Sequence, residues 1–184
     1  LVGAHHYVFA VAFWFAVLPG PTGAILYRMA SALRHRWGDR RDLELEQFGW
    51  FARAAFNAID WIPARLTAVS FAIVGDFEDA AYCWRTQAAQ WDVRGVDGPI
   101  VPDAPVEAGD GSPGVVLATG AGALGVRLGN PLRREDGSYE ERPELGLGDE
   151  PDLPFLDSTV GLIWRALVLW LAMILIVTIV RAFG

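Results

Sequence analysis

Little in this chain supports a disulfide-bonded, zinc-binding or nucleic-acid-binding protein. Cysteine occurs once, at Cys83, so no internal disulfide can form. Histidine is scarce: His5 and His6 are neighbours and His35 stands alone. Adjacent residues of a regular α-helix do not share a face, and no Cys/His spacing fits a zinc site, so no metal ligand is assigned. Acidic residues outnumber basic ones, giving a net charge of −7 and a pI near 4.9. A nucleic-acid partner needs a basic face and is excluded on that ground. The acids fall mostly in loops, as a solvated surface would place them. Ser-His-Asp and Walker arrangements are missing, and no internal repeat is visible.

What the chain has is apolar surface. Its 184 residues are 53% hydrophobic, include eight Trp and have a mean hydropathy of +0.28. The excess is gathered in discrete segments, which points to a membrane protein rather than a soluble domain. The sequence begins at Leu1 without Met, close to an apolar run, and reads as a fragment lacking its N-terminus.

The clearest segment is Thr159 to Ala182, "TVGLIWRALVLWLAMILIVTIVRA". At about 1.5 Å per residue, such a helix crosses a hydrocarbon layer of about 30 Å. Asp157 or Ser158 suits its N-cap, Trp164, Trp170 and Arg181 suit interfacial positions, and Arg165 can snorkel. The segment Tyr7 to Leu33 is interrupted by Pro19-Gly20-Pro21. Proline there breaks the helix, leaving a re-entrant hairpin, one broken spanning helix, or a surface loop between two helices. Arg34, Arg36, Arg40 and Arg41 follow in a polar connection that the positive-inside rule places in the cytoplasm; phosphate binding is the other reading.

Phe48 to Val74 is a third apolar segment, with Pro63 expected to kink it and Arg53, Asp60 and Arg65 as charges inside it. Intramembrane charges are costly and mark function, unless the segment lies near the interface, where they reach water. Asp60 and Arg65 are five residues apart, off a shared face, so they need not pair. Asp76 to Trp91 is amphipathic, with Asp76 as N-cap and Phe77, Ala80, Ala81, Trp84, Ala88 and Trp91 as its apolar face. Asp92 to Pro113 and Leu132 to Asp157 read as loops rich in Gly, Pro and acids. Gly120, Gly122 and Gly125 spell GxGxxG, but no βαβ unit surrounds them. A helix with a small-residue face, Ala118, Gly122, Gly125 and Gly129, is the preferred reading.

Four blocks also carry a family resemblance: "FWFAVLPGPTGAILYRMASAL" (Phe13 to Leu33), "DWIPARLTAVSFAIVGDF" (Asp60 to Phe77), "GALGVRLGNP" (Gly122 to Pro131) and "RPELGLGDEP" (Arg142 to Pro151). In order and spacing they resemble the cobinamide-phosphate synthase (CobD/CbiB) family of membrane proteins. The resemblance implies one all-α, polytopic integral membrane domain over 1–184, with a kinked or re-entrant helix, a long Gly/Pro-rich loop region and a C-terminal transmembrane helix over 159–182. It implies a place in a bacterial inner membrane. It also implies amide formation between an amino-alcohol phosphate and a corrinoid carboxylate in cobalamin biosynthesis, with ATP and Mg²⁺ for activation. Asp60, Arg65, Gly122, Gly125, Arg127 and Gly129 are then candidates for ligand or phosphate contact, through arginine and backbone N–H groups. The catalytic residues stay unassigned.

The chain departs from the family pattern where that pattern carries carboxylates. His6, Tyr7, Ala10 and Val11 replace one acidic motif, Ser31 to Arg34 a second, and Phe56 and Asn57 a third. Those carboxylates would suit Mg²⁺, which prefers oxygen ligands. Their loss resembles AmpE, a related inner-membrane protein of β-lactamase regulation, and gives a non-catalytic regulatory role as the alternative.

Overall fold

A computed structural model of the chain describes residues 1–18, 21–38, 46–93, 112–129, 132–133, 139–140 and 144–183. It is built of helices. A short α1 (Val2–Ala4) runs through a π-helical turn (His5–Phe9) into α2 (Ala10–Val17). Helices α3 (Thr22–Leu33), α4 (Glu46–Val74), α5 (Phe77–Val93), α6 (Ser112–Leu124) and α7 (Leu153–Phe183) follow, with a second π-helical turn (Arg34–Gly38) after α3. A two-residue antiparallel ladder, β1 (Leu132–Arg133) with β2 (Tyr139–Glu140), is a small departure from the expected all-α fold, within a stretch read as loop.

Helix α4 is the axis. Asp60, Ala64, Ala68 and Ala72 recur every fourth residue and are all buried, so one stripe of the helix faces inward. Small side chains on that stripe let neighbours come close. Phe9, Phe71, Val116, Leu162 and Trp170 close the main core around it. Phe9 meets Phe71 edge-on at 5.8 Å and Trp170 at 5.6 Å between ring centroids, geometry that aromatic rings favour. Pro63 lies inside α4 without ending it; the surrounding helical bonds and packing carry the turn that lacks an N–H.

Of the readings open at Pro-Gly-Pro, the single spanning helix is replaced by two helices, α2 and α3, packed on each other. Leu18 leaves α2 in an extended conformation, Pro21 stands at the N-cap of α3, and Pro19 and Gly20 lie outside the described residues. A Cβ at Gly23 would collide with the Trp14 carbonyl, so glycine is what lets α3 return along α2.

Several expectations are corrected. Among the described residues only α7 is long and apolar enough to cross a membrane, with a mean hydropathy of 2.5 over its best window. Val2–Val17 is apolar but short, and α4 does not meet the same test, so the described residues hold one candidate span and the polytopic expectation is not confirmed. Helix α7 starts earlier than expected: Asp152, not Asp157 or Ser158, caps it, accepting the Leu153 N–H at 2.7 Å. Trp170 is buried rather than interfacial, and its indole N–H donates to Ser70 Oγ at 2.8 Å. Trp164 is exposed. Arg165 donates to the Val74 carbonyl at 3.4 Å, supplying positive charge to the carbonyl end of α4.

Asp76 caps α5 as expected, accepting the N–H groups of Glu78 and Asp79 at 3.0 and 3.1 Å. The expected inward face is kept at Ala80 and Ala88 but altered at two positions. Ala80, Cys83 and Ala88 are buried, while Phe77 is 65% exposed. The reason is α6: a Cβ at Gly122 would lie 2.6 Å from the Asp79 carbonyl oxygen and 2.9 Å from Ala80 Cα. The two backbones touch there. Helix α6 then stops at Leu124, so Gly125 and Gly129 do not continue the expected small-residue face; they adopt φ of +64° and +115° beyond it. No βαβ unit surrounds the GxGxxG glycines among the described residues. The loop expected from Asp92 to Pro113 is shortened at both ends, and 94–111 lies outside the described residues.

Gly122→Ala should therefore separate α5 from α6 and cost about 1–3 kcal/mol. Chemical denaturation in detergent would read this against Gly3→Ala, where no atom lies within 4 Å of the new Cβ and stability should stay within about 0.5 kcal/mol.

Candidate functional site

A polar cluster is sealed in the angle between the first π-helical turn, α3 and α4. Asp60 is fully buried, and a carboxylate taken from water needs partners. Tyr27 donates its hydroxyl to Asp60 Oδ1 at 2.6 Å. His5 Nε2 lies 3.0 Å from the same oxygen, and His6 Nε2 lies 3.7 Å from Oδ2. On its other side His5 Nδ1 is 3.0 Å from Thr67 Oγ1, whose hydroxyl donates to the Pro63 carbonyl at 2.9 Å. Phe56 lies against both Tyr27 and His6, with centroids 5.5 and 5.8 Å away. Burial alone would raise the Asp60 pKa. The His5, His6 and Tyr27 side chains around it outweigh burial and hold the carboxyl below its ordinary value.

Sequence reasoning selected Asp60 but not its partners. Two neighbouring histidines seemed unable to act together. The π-helical turn changes their presentation, and the Ala10 N–H reaches back to the His5 carbonyl. The two rings stand 5.1 Å apart and approach different oxygens of one carboxylate. Widened turns of this kind are frequent at functional sites. His6 and Phe56 are also two of the positions at which the resemblance implied a carboxylate. Tyr27 carried no signal beyond its place in the Tyr-Arg block.

The other candidates do not join this cluster. Arg65 is turned away from it: its guanidinium lies 3.9 Å over the Trp61 ring and donates to the Trp61 carbonyl at 3.1 Å. Gly122 is buried against α5. Gly125, Arg127 and Gly129 lie in the strand-like stretch after α6. Leu128 and Leu145 exchange backbone hydrogen bonds at 2.7 and 2.9 Å, and the Arg127 N–H reaches the Asp149 carbonyl at 2.9 Å. Gly146 and Gly148, both with positive φ, are required because a Cβ would strike the carbonyls of Val126 and Gly125. Two blocks recognised separately in the sequence, Gly122 to Pro131 and Arg142 to Pro151, thus pack backbone to backbone. The Arg127 side chain is half exposed, 4.0 Å from Glu150. Gly75, at the end of α4, sits against Ala123, so this region lies roughly 20 Å along α4 from Asp60 at the helical rise.

The family model described as CobD/Cbib protein matches residues 5–163. The chain belongs to the CobD/CbiB family. It is 39% identical over 168 residues to the cobalamin biosynthesis protein CobD of Stutzerimonas stutzeri, covering 91% of this chain and 49% of that protein. It is 40% identical over 166 residues to the protein of the same name from Chromobacterium violaceum, covering 90% and 47%. With that of Mycobacterium tuberculosis it shares 32% over 152 residues, covering 80% and 42%. The chain spans about half the length of the curated relatives it matches. No solved structure matches it.

Replacing Asp60 by Ala strands the Tyr27 hydroxyl and should cost about 3 kcal/mol. Asp60→Asn keeps an acceptor for Tyr27 and should cost less. Denaturation midpoints of the two variants would rank them.

Proposed function

We propose that this chain acts in cobalamin biosynthesis as a membrane-bound amide-forming protein, joining an amino-alcohol phosphate to a corrinoid carboxylate. The observation that carries the reading is the CobD/CbiB match across residues 5–163, supported by relatives named for cobalamin biosynthesis. Helix α7 would anchor it in a bacterial inner membrane, as its length and hydropathy allow.

Forming an amide from an amine and a carboxylate releases one carboxylate oxygen, and ATP with Mg²⁺ would supply the leaving group. The buried cluster does not fit Mg²⁺: it offers two imidazole nitrogens and one carboxylate, whereas Mg²⁺ takes oxygen ligands and keeps several waters. No step is therefore routed through Mg²⁺ there. Arg65 and Arg127 are the proposed contacts for the phosphate of the amino alcohol. The Arg65 guanidinium stands on the surface-exposed Trp61, and Arg127 follows the left-handed Gly125, where its side chain reaches solvent.

The test is a mass-spectrometric assay in detergent with adenosylcobyric acid, aminopropanol phosphate, ATP and Mg²⁺. Amide above a no-protein control is the expected result. No product, with an authentic family enzyme active in parallel, would favour the AmpE-like regulatory alternative. Arg65→Ala should weaken amino-alcohol phosphate binding about tenfold or more, the scale of one charge-assisted hydrogen bond; unchanged affinity by calorimetry would remove Arg65 from the site.

A further inference from the structure

We propose that His5, His6 and Asp60 form a binding site for a divalent first-row transition metal ion, of zinc-like rather than magnesium-like preference. The inference stands apart from the reaction proposed above, because metal binding is read without turnover.

The argument begins with the Thr67 hydroxyl. Its one proton goes to the Pro63 carbonyl, so toward His5 it is an acceptor, and His5 Nδ1 must carry the hydrogen. In the neutral ring Nε2 is then bare, and it faces Asp60 Oδ1 at 3.0 Å. Two lone pairs confront each other there, with a cation the natural bridge. A proton on His5 would serve this pair alone. It would leave His6 Nε2 and Asp60 Oδ2, both buried and without a hydrogen-bond partner, still facing each other at 3.7 Å. One metal ion answers all of these groups at once.

The donor set fits. One ligand atom from each residue can be chosen so that all lie within 4.8 Å of one another. Zinc–nitrogen bonds are about 2.0–2.1 Å, so the ligand atoms of a tetrahedral ion lie roughly 3.3 Å apart. The site closes by a small rotation of His6, which keeps 18% side-chain exposure. Two imidazoles and a carboxylate suit zinc and its neighbours in the first row, and three protein ligands leave a position open. The outer shell is in place as well. Thr67 fixes the His5 ring through Nδ1, and Tyr27 holds the carboxylate, as supporting groups do around histidine-bound metals.

The experiment uses the protein purified in detergent, stripped with chelator and titrated with Zn²⁺ by calorimetry, with bound metal counted by mass spectrometry. The expected result is one Zn²⁺ per chain, retained in excess Mg²⁺. Co²⁺ in its place should give the visible absorption of a nitrogen-ligated site. His6→Gln changes the partly exposed member and should weaken Zn²⁺ at least tenfold, with the melting temperature of the metal-free protein unchanged. Thr67→Val should weaken it about tenfold through the outer shell. Cys83→Ser should leave it unaltered. A wild-type protein that binds no Zn²⁺ would overturn the proposal, leaving His5 and Asp60 as an imidazolium–carboxylate pair. Wild-type affinity in His6→Gln would also overturn it, by placing the metal elsewhere.

Discussion

One buried carboxylate organises the N-terminal half of this structure. Asp60 has no access to water, and a lone charge in that position would unfold the region around it. Tyr27 from α3 donates to it, and His5 and His6 from the first π-helical turn stand against its two oxygens. Two elements, α3 and the first π-helical turn, are thereby tied to the middle of α4. The rings of Phe56 and Tyr27, both buried, pack together at the junction and exclude solvent. Exclusion of water in turn makes each polar contact inside stronger.

The C-terminal half depends on a different constraint: glycines that let backbones touch. Gly122 brings α6 onto α5, and Gly146 and Gly148 bring the stretch before α7 onto the stretch after α6. Gln87 of α5 joins the same layer, accepting the Gly146 N–H at 2.5 Å. Helix α4 runs through both halves. Its alanine stripe and Gly75 accept α6 and α5, while Ser70 receives the Trp170 indole of α7.

This division bears on function. The resemblance and the family membership draw attention to the arginines and to the Gly-rich blocks. The glycines are accounted for by close backbone approach and left-handed turns, so their presence needs no phosphate to explain it. The chemically unusual place is instead the His5–His6–Asp60 cluster, where nitrogen donors and one carboxylate converge in a nearly dry setting. A phosphate-handling surface at Arg65 or Arg127 and a metal-binding interior at Asp60 would be separate features of one chain.

The sequence by itself determined the helical class, the C-terminal apolar helix, the break at Pro-Gly-Pro, the cap at Asp76 and the placing of a charge at Asp60. Each is a local property: hydropathy over a run, a missing N–H, a side chain that can cap, a charge among apolar neighbours. The tertiary structure alone decided what Asp60 is paired with, that Cys83 of α5 is inward and Phe77 is not, where α6 ends and that Trp170 is buried. Those outcomes rest on contacts between residues 33 to 100 positions apart, which helical periodicity does not encode. The histidine pair shows the limit most directly. A regular helix splays His5 and His6 apart, and only the π-helical turn, set against a carboxylate from another helix, turns two adjacent rings toward one charge.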